Sequence, residues 1–330
     1  MYDALLQLTL FSAKSFILLI VILMLFIGII AIATRGKQKL AKGKITIENL
    51  NENYLETKQE LLQEILPKKK FKKFLKEQKI LEKEKDKMTK NIFVINFHGD
   101  LKASAVANLR EEVTAILNIA SKEDEVVVRL NSAGGMVNTY GLAAAQLARI
   151  RQKNIPLTVI VDKIAASGGY LMACIANKIL AAPFAIIGSI GVIVQLPNFH
   201  RLLKEKNIDF EQLTAGNYKR TLTMFGHNTE EGREKLKEEI EEIHHLFKDV
   251  IKEHRQQLDV DKVATGEHWL AAQALTLNLV DELMTSDDYL LKKSQDHHLY
   301  EIAFHAKKSL GERLSASAQA LKSDLLGVSS

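Results

Sequence analysis

From Ser15 to Ala33 the chain carries no charged residue, and Phe16 through Ile32 is almost wholly aliphatic. About 19 such residues cross the hydrocarbon core of a bilayer as a helix, so 15–33 is expected to be a transmembrane helix behind a short N-terminal segment, 1–14. A cleavable signal is the competing reading, encouraged by Ala31-Ile32-Ala33. The run is longer than usual for one, however, and the segment before it sets only Lys14 against Asp3. The pattern then changes abruptly. Residues 34–90 hold 17 Lys or Arg against 9 Asp or Glu and read as a basic, charged helical linker.

Beyond Lys90, short apolar runs alternate with helical periodicity. Ile92–Phe97, Val126–Leu130, Leu157–Val161, Lys178–Ala181 and Ile190–Val194 read as strands, while Ala103–Ile119 and Thr139–Arg151 carry helix formers at helical spacing. Repeated strand-helix units predict an α/β core with a largely parallel sheet. Periodicity alone admits either a ββα superhelix or a doubly wound sheet. The apolar stretch 179–196 invites a second membrane span, but Pro183, Gly188, Ser189 and Gly191 interrupt it, and two buried strands joined by a turn suit it better. Thr229–His254 reads as a charged helix with Thr229 as N-cap. Within it Glu241 and His244 have the Glu-x-x-His spacing of a carboxylate metal site. No second such pair completes it, so a solvated face is expected and no metal or other cofactor is assigned.

Composition adds little to the fold and more to the partners. With 330 residues, 47% of them hydrophobic, the chain can bury a large core. Its net charge of +5 is smaller than the basic excess of 34–90 alone, so the remainder is slightly acidic and no nucleic-acid footprint is present. Lys68-Lys69-Lys70-Phe71-Lys72-Lys73-Phe74-Leu75 suits an amphipathic segment beside an anionic membrane surface, or a solvated helical linker. Arg35, Lys37, Lys39, Lys42 and Lys44 follow the apolar span against a lone Lys14 before it, which places the following region on the cytoplasmic side. Cys174, the single cysteine, lies in an apolar run and reads as a small core residue.

The candidate chemistry lies in Ala165-Ala166-Ser167-Gly168-Gly169-Tyr170 and in Gly216-Asn217-Tyr218-Lys219, whose lysine stands 52 residues after Ser167. A serine beside two glycines can stand clear of bulky neighbours, and the following N–H groups are free to point at a developing oxyanion. Lys219 supplies a base. Upstream, Arg129-Leu130-Asn131-Ser132-Ala133-Gly134-Gly135-Met136-Val137 is a strand running into a Gly-Gly turn, a second source of oxyanion donors. The alternative for the Ala, Ser and Gly run is close packing of a helix on a sheet.

These residues, in this order and spacing, resemble the signal peptide peptidase A (protease IV) family of serine peptidases, and within it the SohB branch. The resemblance covers roughly residues 90–290. It implies a crotonase or ClpP-like ββα superhelix over a peptidase domain, 91–290, with 291–330 as a C-terminal tail. It also implies Ser167 as nucleophile, Lys219 as general base, Gly135 and Gly168 as oxyanion amides, and Ser189 as a second serine orienting the lysine. A homo-oligomer at the bacterial inner membrane, acting on peptide or protein substrates, follows from the same resemblance. Two positions depart from the family pattern: Ala133 stands where proline is usual, and Asn278 where glycine is usual. Asparagine is the residue best able to replace glycine at a positive φ, so the turn at Asn278 is expected to survive.

The expected reaction is acyl transfer, in which neutral Lys219 takes the proton of Ser167 as it attacks a peptide carbonyl. A lysine with the ordinary pKa of about 10.4 is neutral in only about one molecule in 2,500 at pH 7, so burial has to favour the neutral form. Gly135–Asn138 is expected to form one edge of the substrate cleft. Met136, Val137, Asn138, Tyr170 and Val192 are the expected substrate contacts, favouring small or hydrophobic side chains before the scissile bond. No G-x-S-x-G elbow, zinc-binding His-Glu-x-x-His or phosphate-binding Walker loop is present. The rival classes are a crotonase-fold acyl-CoA hydratase or isomerase and a catalytically inert membrane scaffold.

Overall fold

The computed structural model describes residues 43–85 and 90–306, with Lys14, Phe16, Leu18 and Leu19 as isolated helical positions before them. Residues 45–305 make one compact unit. Its elements in chain order are β1 (Gly43–Asn49), α1 (Leu50–Ile65), α2 (Lys68–Lys85), β2 (Asn91–Gly99), α3 (Val106–Leu117), β3 (Glu125–Ser132), α4 (Val137–Gln152), β4 (Leu157–Val161) and β5 (Ile164–Ala166). There follow α5 (Gly168–Ala173), β6 (Lys178–Ala181), β7 (Ile186–Gly188), α6 (His200–Glu205), α7 (Glu230–His254), α8 (Val260–Val263), β8 (His268–Leu270), α9 (Ala271–Thr276), β9 (Glu282–Leu283), α10 (Ser286–Lys293) and β10 (His298–Ala306). The result is a mixed α/β fold.

The main sheet has the order β1-β10-β2-β3-β4-β6-β9, and every pair from β10 to β9 is parallel. A second layer, β5-β7-β8, joins it where Ser132 at the end of β3 pairs with Ala165 of β5. Burial explains why the central strands are nearly all apolar. All five positions of β4 are buried, as expected of a parallel strand covered on both faces. Alternate side chains divide between two cores, following the two-residue period of a strand. Phe93, Ile95, Phe97, Val126, Val128 and Leu130 pack with α3, α4, α5 and α7, whereas Ile92, Val94, Val127 and Ile160 pack with Leu50, Tyr289 and Leu290 on the opposite face.

The strands at 157–161 and 178–181 have the expected bounds, and those at 92–97 and 126–130 are extended by one to two residues at each end. Ile190–Val194 is not a strand. Its place is taken by β7, four residues earlier, because Ser189 sits at φ 51 and ends the extended run. The stretch 179–196 thus enters the fold as two strands and a turn. The expected linker 34–90 and tail 291–330 also need correction, since each supplies a sheet strand, β1 and β10. Asn51 of α1 explains the docking: its amide nitrogen donates to the carbonyls of Ser294 and His297, and its oxygen accepts the Leu299 N–H at 2.7 Å. Thr229 caps α7 by accepting the Gly232 N–H at 3.1 Å. Among the described residues no helix is long and apolar enough to cross a membrane, and the span expected at 15–33 lies, but for three positions, outside them.

Candidate active site

Ser167 occupies the one-residue junction between β5 and α5, at φ 50 and ψ −119. Its N–H donates to the Gly188 carbonyl at 2.8 Å and its carbonyl accepts the Leu171 N–H at 3.0 Å, so the backbone is held from both sides. The hydroxyl has no hydrogen-bond partner among the described residues. A positive φ costs a non-glycine residue about 1–3 kcal/mol and persists only where the surroundings over-determine it. Six described non-glycine residues have positive φ. Three are asparagines, including Asn278 at φ 60, which tolerate that region and fulfil the expectation for its turn. The other three are Ala103, Ser167 and Ser189. Ser189 follows the Gly188 that pairs with Ala166, and Ala103 closes the loop that carries Leu101. Backbone strain is therefore concentrated around Ser167.

The turn after β3 is pressed against this junction. Gly134 has φ +88, and a Cβ there would lie 2.7 Å from the Gly168 nitrogen and 2.8 Å from the Ser167 Cβ, so only glycine fits. Gly135 and Gly168 border the same cavity as Ser167, and neither amide has a protein acceptor among the described residues. Unpaired N–H groups are the kind of donor that a developing oxyanion needs. The Met136 N–H, by contrast, is taken by the Leu101 carbonyl at 2.9 Å, and the chain enters α4 at Val137. Of the expected cleft edge at Gly135–Asn138, Met136 thus has its N–H already paired, and Val137 and Asn138 are helical rather than extended.

Tyr140, which the sequence did not single out, ties these pieces together. Its hydroxyl donates to the Asp100 carbonyl at 2.8 Å, so the 2.6 Å contact with Ser132 Oγ must be donated by the serine. Ser132 Oγ in turn accepts the Gly134 N–H at 3.1 Å. Burial holds the Tyr140 phenol above its ordinary pKa, with the Ser132 hydrogen bond opposing, which keeps the donor proton in place. The ring also backs Gly168, where a Cβ would come within 2.5 Å of it.

The cavity beside Ser167 has a volume of about 230 Å³ and an apolar wall. Of the expected substrate contacts, Val137 and Val192 line it, whereas Met136 and Asn138 are exposed outside it. Tyr170 does not face it at all. That residue is fully buried, its hydroxyl donating to the Leu279 carbonyl at 3.0 Å, because α5 turns it into the core. The wall also includes Gly141, Leu171 and Ile193, together with Ile243, Leu246, Phe247 and Val250 of α7. Their spacing, at positions i, i+3, i+4 and i+7, was a legible helical stripe that the dense charge of this helix obscured.

Lys219 is not in this cavity. It lies exposed in the irregular segment between α6 and α7 and lines a separate cavity of about 780 Å³ with Leu196, Leu213, Arg220 and Phe225. Among the described residues no hydrogen bond links Ser167, Ser189 and Lys219. The Ser189 N–H is taken by the Glu267 carbonyl at 2.6 Å. Below α5, Arg255 is 2% exposed and donates to both oxygens of Asp281 at 2.8 Å. Cys174 is buried, its thiol pushed up to about 12 by that burial, which makes it unreactive. Among the described residues no group of three His, Cys, Asp or Glu side chains could hold a metal ion.

The chain matches the sequence model of peptidase family S49 over residues 149–299, and the N-terminal model of the same family over residues 3–147. It is 44% identical over 306 residues to "Probable protease SohB" of Buchnera aphidicola subsp. Schlechtendalia chinensis, covering 88% of this chain and 100% of the relative. The chain belongs to peptidase family S49. It is also 53% identical over 228 residues to "Probable protease SohB" of Haemophilus influenzae, a match that covers 69% of this chain and 65%, just under two thirds, of that relative. Among solved structures it is similar to the 1510-N membrane-bound stomatin-specific protease bound to a substrate peptide. That match has a TM-score of 0.43 and 16% identity, over 70% of this chain and 99% of the other.

Proposed function

We propose that the protein is a membrane-anchored serine endopeptidase on a ClpP-like ββα superhelix, with Ser167 as nucleophile and Lys219 as general base. The observation that carries the reading is the strained Ser167 junction, which borders an apolar cavity that Gly135 and Gly168, with their unpaired amides, also line. Membership of family S49 supports the same chemistry. Ser167 Oγ adds to the peptide carbonyl while its proton passes to neutral Lys219, and the two amides receive the oxyanion. Collapse expels the amine, which takes the proton back from the lysine. Water then cleaves the acyl-enzyme by the same route.

Lys219 stands away from Ser167 in the isolated chain, so the reading requires the 193–228 segment to be repositioned when the protein assembles. The segment exposes Ile193, Phe199, Leu202 and Leu213, the last at 96%, apolar side chains that a second copy could cover. A homo-oligomer that buries it would desolvate Lys219 at the same time, and Ser189 would then orient the amine. The apolar run at 15–33 is the proposed anchor, and signal-peptide remnants or membrane-associated proteins are the proposed substrates.

Labelling with a fluorophosphonate, followed by mapping of the modified peptide, tests the reading. Modification is expected at Ser167 in the wild type and to be lost in Lys219→Ala and Lys219→Arg, because guanidinium stays protonated. Modification at another residue, or near-wild-type peptidase activity in purified Lys219→Ala, overturns it.

A further inference from the structure

Gly141 lies in the second turn of α4 and lines the cavity beside Ser167. A glycine in a helix interior weakens the helix relative to alanine, so one that is retained calls for a local reason. At most of the glycines whose surroundings are described, an added Cβ would strike a neighbouring atom. Three sites have nothing within 4 Å: Gly141, Gly216 and Gly266. The last two have positive φ and are explained by it. Gly141 has ordinary helical backbone and open space in front of its Cα. Neither conformation nor packing requires glycine there, and what remains is the empty volume itself, which belongs to the cavity.

The opposite wall of that volume is the α7 stripe Ile243, Leu246, Phe247 and Val250, with Leu171 and Val192 beside it. An apolar cavity of about 150 Å³ admits a benzene ring. The 230 Å³ found here is therefore ample for a branched aliphatic or aromatic side chain.

We propose that Gly141 is a specificity-determining residue: by omitting a side chain it keeps the gap between α4 and α7 open, so that the substrate residue before the scissile bond is Leu, Met or Phe rather than Ala. This rests on the reading of Ser167 as the nucleophile. Each methyl group added at position 141 subtracts from the space for the substrate and leaves Ser167, Gly135 and Gly168 untouched.

The test compares Gly141→Ala and Gly141→Leu with wild type in the full-length chain, using matched peptides that carry Ala, Leu or Phe before the cleaved bond. Gly141→Ala is expected to raise the melting temperature, as a better helix former, and to lower kcat/KM for the Phe peptide by about tenfold, the scale of one methylene in an apolar pocket. Cleavage of the Ala peptide should change less than about twofold. Gly141→Leu should reverse the Phe over Ala preference. Fluorophosphonate labelling of Ser167 should persist in both variants. An unchanged preference with Ser167 still labelled overturns the inference alone, as does an equal loss on all three peptides. Absence of Ser167 labelling in the wild type overturns the underlying reading instead.

Discussion

Ser167 and Lys219 sit in opposite kinds of structure. Ser167 is fixed by two backbone hydrogen bonds, by Gly134 pressed against its Cβ, and by the Tyr140–Ser132–Gly134 chain that holds the neighbouring turn. Lys219 is exposed in an irregular segment, its backbone held by one turn to the Gly216 carbonyl at 3.2 Å. The contrast follows from what each group costs to hold ready. A strained serine junction survives only inside a rigid frame, and its neutral hydroxyl costs far less to withdraw from water than a charged amine does. A lysine kept buried without a partner would forfeit its hydration, a penalty that the exposed Lys219 avoids.

The sharpest way to break this comparison is to delete each partner. Ser167→Ala and Lys219→Ala should each reduce turnover by at least about 10⁴-fold, and the double variant should be little worse, because the two act as one unit. Both should fold; an unfolding free energy from urea titration within about 0.5 kcal/mol of wild type is expected for the exposed lysine. A Lys219→Ala protein that still turns over substrate would show that the base has been misidentified.

The frame itself should be costly to disturb. Asp281→Ala strands the guanidinium of Arg255, which also donates to the Asn278 carbonyl beside the Leu279 that receives Tyr170. A loss of about 3–5 kcal/mol in unfolding free energy is expected from urea titration. Near-wild-type stability would mean that Arg255 finds water, and that the support under α5 is looser than its burial suggests.

A smaller effect is expected at Tyr140. Tyr140→Phe keeps the ring behind Gly168 and removes the hydroxyl between Asp100 and Ser132. We expect kcat to fall about tenfold, about 1.4 kcal/mol, with KM nearly unchanged. Tyr140 would be a positioning residue, acting through Gly134 and Gly135. A change in KM alone, measured by steady-state kinetics, would place its role in substrate binding instead.

Least disturbing to the folded chain should be Leu213→Ser. At 96% exposure the side chain contributes almost nothing to the monomer, and thermal stability should move by less than about 0.5 kcal/mol. Self-association measured by sedimentation should nevertheless weaken, and peptidase activity with it. Unaltered assembly would exclude this part of the segment from the contact between copies.

Much of this was legible in the chain before its fold was known. The runs at 157–161 and 178–181 announced their strands because a doubly covered parallel strand is apolar at nearly every position. Thr229 announced its helix because a cap is a local device, and Asn278 its turn because the left-handed region selects by residue type. The Ser-Gly-Gly and Gly-Gly motifs likewise marked the two pieces that meet around the candidate nucleophile. Other features depend on partners distant in sequence. β1 and β10 looked like linker and tail because their strand character is completed only by pairing across the sheet, and Asn51 reveals its purpose only beside Ser294, His297 and Leu299. Tyr170 lies three residues from Ser167, yet one helical turn sends it into the core. Tyr140 and Gly141, silent in the sequence, line the cavity of Ser167 from another helix. Local propensity, capping and motif chemistry are written in consecutive residues, so the sequence alone determined them. Which side chains share a cavity, and where Lys219 rests, was decided by tertiary packing, because that depends on the sum of contacts from the whole chain.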